Sequence, residues 1–260
     1  TKLTRRRQIT GLLCTMPALV MIIVFFIIPL GLTVWMSLHN WPLLGANHQF
    51  VGGKNYAEAF SDETFRRSVV FTLRYALIVT PIQLVLGYGL AALIRRKFRG
   101  ITFFRAAFFA PVVVGFAAGA YVFLVLFQPD KGFFDQLLMR LGLTEAPVPW
   151  LTNPNLALVG VVLMVTWKTV GTAIILMMVG MQAVPDEVYE AAMVDGASWW
   201  QRELHITLPL IRPTIALVLI LTLTGAFLAF DQFFIMTHGG PNQSTTTIVM
   251  WMYTNAFVRF

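Results

Sequence analysis

The strongest constraint on this chain is a set of apolar runs too long for a soluble core. Leu12 to Leu38 contains no Asp, Glu, Lys or Arg over about 27 residues, and a helix of about 20 apolar residues crosses the hydrocarbon of a bilayer. Four further runs, Val69–Ile94, Arg105–Phe127, Leu156–Val179 and Pro213–Met236, meet the same length. The chain is 57% hydrophobic and 12% charged, against roughly 45–50% and about 25% in soluble domains. The expected fold class is therefore all-α: a polytopic membrane helix bundle, with residues 1–260 read as a single transmembrane domain. Pro17, Pro29, Pro81 and Pro111 fall inside or near the ends of these runs, where bundled helices tolerate them.

Charge sets the expected orientation. The net charge of +7 is gathered at the ends of apolar runs, in Lys2, Arg5, Arg6 and Arg7 and again in Arg95, Arg96, Lys97 and Arg99. That is the pattern of cytoplasmic segments under the positive-inside rule, not a nucleic-acid face. It places the N-terminus and the segment from Pro185 to Leu210 in the cytoplasm, and the near-neutral connections His39–Ser68 and Gln128–Asn155 outside. The first run exceeds the roughly 7–15 residues of a signal-peptide core, and no small-x-small cleavage site follows it, so it reads as a retained helix. The single cysteine, Cys14, has no partner for a disulfide, and the four histidines are too scattered for a metal cluster. Five spans leave the C-terminus outside, and the sequence stops at Phe260 where a sixth helix is expected to follow.

The most informative stretch is Val184 to Pro209. Pro185 suits a first helical turn, Asp186 and Glu187 suit the positive end of a helix dipole, and Gly196 is placed to end the helix. A second short helix is expected from Ser198 to Ile206, stopped by Leu208-Pro209. The result is a helix–glycine–helix lug outside the membrane. Ala191 and Ala192 give it a smooth face for close approach by another protein, and Glu190 and Asp195 can meet basic or amide groups.

Glu190-Ala191-Ala192, Gly196 and Ile206-x-Leu208-Pro209 resemble the EAA loop of the permease subunits of binding-protein-dependent ABC importers. Phe50-Val51-Gly52 with Asn55-Tyr56, Phe127-x-Pro129-x-x-Gly132, and Thr237-x-Gly239-Gly240-Pro241 with Thr245-Thr246, Tyr253 and Ala256-Phe257 are similar to the carbohydrate branch, typified by maltose and glycerol-phosphate permeases. The chain departs from those relatives at Glu203, where they usually show an aromatic residue. The resemblance implies a type I importer permease fold whose coupling helices dock on an ATP-hydrolysing subunit. Glu190, Ala191, Ala192, Asp195, Gly196, Ile206, Leu208 and Pro209 are the implied docking residues.

The implied partners are a second homologous permease, two ATP-binding subunits holding ATP and magnesium, an extracytoplasmic solute-binding protein, a carbohydrate substrate and membrane lipid. This subunit would carry no cofactor, metal or catalytic residue, and would sit in a prokaryotic inner membrane. Gly239, Gly240 and Pro241 are read either as contacts for the binding protein or as plain tight turns. Polar groups in spans usually face the bundle interior, so Trp167, Lys168, Thr172 and Asp231 are the expected substrate path. For Lys168 an ion pair with Asp231 and anchorage to a helix end or a partner subunit, with Trp167 merely packing, both stay open. The alternatives to sugar import are an importer of another solute and a secondary transporter. The latter should show internal repeats, and none is evident.

Overall fold

The computed structural model describes residues 2–42, 48–95 and 100–258, with residues 2–9 described by their backbone alone. Arg96, Lys97 and Arg99 thus lie outside the described residues, as do the side chains of Lys2, Arg5, Arg6 and Arg7. The chain divides after Glu63 into two compact units.

In the first unit, α1 (Lys2–Ile22), a π-helical turn (Ile23–Ile27) and α2 (Ile28–Ser37) follow one another without a break. Side chains from Thr10 to Met36 are exposed throughout, as suits a helix solvated by hydrocarbon. Two short antiparallel strands, β1 (His39–Asn40) and β2 (Gln49–Phe50), pair His39 with Phe50, and α3 (Lys54–Ser61) closes the unit. The Asn55-Tyr56 pair here has a local physical role. Asn55 Nδ2 donates to the Ser37 and His39 carbonyls, both at 2.9 Å, and Tyr56 shares a 2.6 Å hydrogen bond with Ser37 Oγ. These bonds engage carbonyls that the end of α2 leaves without helical partners.

The second unit is built on α4 (Glu63–Ile94), α5 (Ile101–Val113), α6 (Phe116–Leu126), α7 (Phe133–Arg140) and α8 (Pro154–Gln182). It continues through α9 (Asp186–Val194), α10 (Trp199–Arg202), a second π turn (Glu203–Thr207), α11 (Leu208–Leu210), α12 (Arg212–Phe227), α13 (Asp231–Met236) and α14 (Ile248–Phe257). Helix α8 is the central mast. Its first half packs Leu158, Val161, Met164 and Val165 against Tyr75 and Val79 of α4, Phe123 of α6 and Phe233 of α13. Its second half packs Ala173, Ile174, Met177 and Met181 against Ala91 and Ile94 of α4 and Val218 of α12. At Gly171 the α5 backbone comes so close that a Cβ would lie 2.2 Å from the Phe108 carbonyl oxygen.

Among the described residues three helices are long and apolar enough to cross a membrane: Thr10–Ser37, Glu63–Ile94 and Pro154–Gln182. Two bent pairs bring the number to as many as five. Here the structure differs from the sequence reading. Arg105–Phe127 is not one straight crossing but α5 and α6, meeting at 101° across extended backbone at Val114 and Gly115. Pro111 in the last turn of α5 lacks the N–H that would continue the ladder. The Pro213–Met236 run is likewise interrupted, since α12 ends at Phe227 and α13 starts at Asp231.

Nor does Leu208-Pro209 stop the second short helix, which runs on to Leu210 before bending by 72° into α12. The π turn explains this, because the Leu208 N–H reaches back to the Glu203 carbonyl and the widened turn eases the clash of the proline ring with the carbonyl below it. The same arrangement precedes Ile28-Pro29, where the Ile28 N–H bonds to the Ile23 carbonyl. Gly171→Val is expected to force α5 off α8 and to lower the detergent-solubilised unfolding midpoint sharply, by overpacking worth about 1–3 kcal/mol or more. Retention of the wild-type midpoint would show that the close approach is not obligatory.

Candidate functional site

Chemistry-bearing groups collect in three places in the second unit. At the end of the bundle formed by Arg95 and the C-terminus of α8, the Val184–Pro209 segment folds much as its sequence suggests. Helix α9 opens with Asp186 and Glu187 in its first turn and has Asp195 as C-cap. Gly196 comes next at φ +78°, with its N–H on the Met193 carbonyl and that of Ala197 on the Ala192 carbonyl. This is the double hydrogen bond of a Schellman turn. Open space surrounds the position, so backbone conformation alone selects glycine there.

Ser198 caps α10 in a reciprocal capping box with Gln201. Glu190, Ala191, Asp195 and Gly196 are exposed, while Ala192, Ile206, Leu208 and Pro209 are half-buried. Val194 and Trp200 stand 88% and 67% exposed, which makes the lug an apolar surface with acidic edges. Behind that surface lies a polar cluster. Glu203, 2% exposed, accepts the Tyr88 hydroxyl at 2.6 Å and meets Arg95 at 3.4 Å. Arg95 also donates to Tyr189 Oη at 2.8 Å, and Tyr189 shares a 3.1 Å bond with Thr207 Oγ1. A cavity of about 630 Å³ opens beside it, lined by Arg95, Arg105, Asp186, Arg202 and Glu203 among others.

In the interior of the bundle a second cavity, of about 260 Å³, lies among α4, α8, α12 and α13. Its polar lining is Tyr75, Gln83, Thr169, Thr172, Thr222 and Gln232, with no charged side chain among the described residues. Gln232 Nε2 donates to Tyr75 Oη at 3.5 Å, and Gln83 Nε2 to Thr169 Oγ1 at 2.6 Å. Gln83 Oε1 is buried without a hydrogen-bond partner among the described residues. Of the four expected path residues only Thr172 lines this space. Trp167 is 38% exposed and packs on Phe123. Asp231 is exposed in the first turn of α13, and its neighbour Gln232 turns inward instead.

Lys168, 5% exposed, forms no ion pair with Asp231. Its Nζ donates to the Val112 and Pro111 carbonyls at 3.1 and 3.4 Å and lies 4.8 Å from the centre of the Phe116 ring. It therefore anchors a helix end, the second of its two open readings. The missed lining residues had a signal, because Gln83 and Gln232 are amides inside apolar runs. A search for charges passes over them.

At the opposite end of the bundle, Thr237 to Thr247 folds back on itself. Thr237 and Thr245 share a 2.8 Å hydroxyl bond, Thr245 donates to the Gly240 carbonyl at 2.7 Å, and Thr247 to the Ala229 carbonyl at 2.7 Å. Gly239 is buried, and Gly240 and Pro241 are half-buried; the exposed tip is His238, Asn242 and Gln243, all at positive φ. The Phe127-Pro129-Gly132 segment adjoins a second built loop. There Asp135, 1% exposed, accepts from the Trp150 indole at 2.6 Å and from the Asp130 and Val148 N–H groups.

Known proteins place this geometry in a family. The family model described as "Binding-protein-dependent transport system inner membrane component" matches residues 57–258. The "Probable ABC transporter permease protein YurN" of Bacillus subtilis is 34% identical over 259 residues, 99% of this chain and 88% of that protein. The "Trehalose/maltose transport system permease protein MalF" of Thermococcus litoralis is 33% identical over 247 residues, 95% of this chain and 83% of that protein. Among solved structures, a bacterial ABC transporter involved in the import of the acidic polysaccharide alginate matches with a TM-score of 0.83 at 22% identity, over 99% of this chain and 88% of the matched chain. That last likeness bears on fold alone.

Lys168→Met is expected to strip the donor from the Val112 carbonyl at about 1–3 kcal/mol, while the Pro111 carbonyl keeps the Val114 N–H. A fall in the unfolding midpoint, with membrane insertion intact, is the predicted result.

Proposed function

The chain belongs to the family of binding-protein-dependent transport system inner membrane components, and on that premise we propose that it is one of two permease subunits that pass a carbohydrate through the membrane. It is a multi-pass membrane transport subunit and not an enzyme. ATP and magnesium are assigned to separate ATP-binding subunits, and delivery of the substrate to an external binding protein. A second, homologous permease completes the pathway. The basic clusters support an inside N-terminus, which puts the α9–α10 lug on the cytoplasmic side and the 237–247 loop outside, with His238, Asn242 and Gln243 offered to the binding protein. On the lug, Glu190, Ala191, Asp195 and Gly196 present the surface on which an ATP-binding subunit docks.

One observation carries the carbohydrate reading: the interior cavity is lined by hydroxyls and amides and, among the described residues, by no charge. Such a lining exchanges hydrogen bonds with a neutral polyol, whereas an ionic solute there would lose its hydration with no opposite charge in return. A similar protein being named for trehalose and maltose transport supports the same class. We accordingly assign the path to Tyr75, Gln83, Thr169, Thr172, Thr222 and Gln232.

Gln83→Leu and Gln232→Leu, each in the assembled transporter, should lower uptake of labelled trehalose or maltose several-fold. The expected scale is about tenfold for a loss near 1.4 kcal/mol, with insertion and ATP hydrolysis kept. Wild-type uptake by both variants would remove the cavity from the path. Gly196→Val puts a β-branched residue at positive φ, a strained placement, and should reduce assembly with the ATP-binding subunit while insertion persists. Cysteines at Ser61 and Ser198, in a chain with Cys14 replaced, should react with an impermeant reagent from opposite sides of the membrane.

A further inference from the structure

The buried cluster around Glu203 ties three elements together, and no motif of the docking loop accounts for it. Tyr88 comes from the last two turns of α4 and Arg95 from the residue just past its end, Tyr189 from α9, and Glu203 and Thr207 from the π turn. Both carboxylate oxygens of Glu203 are engaged, Oε2 by Tyr88 and Oε1 by Arg95. Arg95 then links onward to Tyr189, whose ring it also overlies at 4.6 Å. Arg95 keeps 26% of its side chain exposed and Glu203 3%, so the carboxylate depends on these partners: a buried charge left alone is strongly unfavourable.

A π turn at this point is informative as well, since such turns shift the register of all side chains beyond them and recur at functional positions. Here the turn begins at Glu203 itself.

We propose that Glu203 is a positioning residue that clamps the α9–α10 lug to the end of α4, so that displacement of the lug is passed to α4 as a rigid-body movement. The inference rests on the reading of the lug as the docking surface for an ATP-binding subunit. A clamp suits that task because its bonds are directional and reach both sides of the glycine turn, with Tyr189 before Gly196 and Glu203 after it. Ordinary apolar packing would hold the same elements together but let them slide. Apart from Arg95, the charged residues around the neighbouring cavity are Arg105, Arg202 and Asp186, and Glu203 is the acidic group among them that pairs with the arginine at the end of α4.

The test uses the assembled transporter with Cys14 replaced and spin labels at Leu93 on α4 and Glu187 on α9, both exposed. The label-to-label distance is measured by pulsed electron resonance, nucleotide-free and with ATP trapped by vanadate. In the wild-type background a single narrow distance should persist in both states. Glu203→Gln should broaden or split the distribution in the trapped state while ATP hydrolysis continues.

Because Glu203→Gln leaves the Arg95 charge without its carboxylate, the double variant Arg95→Met/Glu203→Leu is measured too. It removes both charges in favour of apolar groups, an exchange that usually keeps the fold, and it should broaden the distribution in the same way. A narrow, unchanged distance in the double variant would overturn the clamp while leaving the importer reading in place. Failure of the wild-type chain to bind any ATP-binding subunit would overturn that reading and the clamp with it.

Discussion

The interior of this bundle depends on two hydrogen bonds from one ammonium group. Inside hydrocarbon no water satisfies a bare carbonyl, so a helix can turn a corner at depth only where protein supplies the missing donors. At the end of α5 Lys168 gives the Val112 carbonyl its donor and adds a second to the Pro111 carbonyl, which also takes the Val114 N–H. The charge complements the negative end of the α5 dipole and rests against the Phe116 ring, on the far side of the corner. The 101° bend is the result, and α6 is thereby carried onto α13, where Phe123 and Phe233 share one core with Tyr75. Phe116, just beyond the corner, contributes to the wall of the interior cavity. Lys168, an expected path residue, thus sits at the corner that helps shape the cavity.

Proline is handled by the same principle in a different way. At Pro29 and Pro209 the helix widens to a π turn just before each proline and continues. At Pro111 the helix ends instead. The difference lies in the residues beyond each proline: Leu30 and Leu210 continue helical stretches, whereas Val114 and Gly115 adopt extended backbone. Both solutions keep carbonyl groups from facing lipid unpaired. Their cost falls on register, which the π turn shifts for the side chains beyond residues 203–207.

How much of this was legible depended on whether the cause was local. The helix–glycine–helix lug was readable because its determinants are neighbours in sequence: Pro185, the acidic first turn, Gly196 and the Ser198–Gln201 box. The apolar runs gave the helices that cross the bundle, since hydrocarbon length is a property of the run itself. The corner was not legible, because Val112 to Gly115 is as apolar as any span and the donor that makes the bend possible lies 56 positions from Val112. The cavity lining was missed for a similar reason, as Gln83 bonds to Thr169 and Gln232 to Tyr75, 86 and 157 positions away. Glu203 was visible as a departure from relatives, but its partners Tyr88 and Arg95 are 115 and 108 residues distant in sequence, and only the fold unites them.

These two polar sites, the cavity and the cluster at Glu203, are joined by one element. Helix α4 carries Tyr75 and Gln83 at the cavity and Tyr88 at the cluster, with Arg95 directly after its last residue. It runs unbroken from Glu63 to Ile94, with Pro81 inside it. From Gln83 to Arg95 is about 18 Å of helix at about 1.5 Å per residue. At about 100° per residue the two sets of side chains point to different sides of the helix. On the proposed clamp, a helix gripped on one side at its end and lining a cavity on the other would convert a small displacement at the grip into a tilt at the lining. Gln83 stands where that tilt would be felt, with its Nε2 on Thr169 of the mast and its Oε1 without a partner among the described residues. Helix α8 packs against both halves of α4 through separate apolar clusters, so the two polar sites share the same pair of helices.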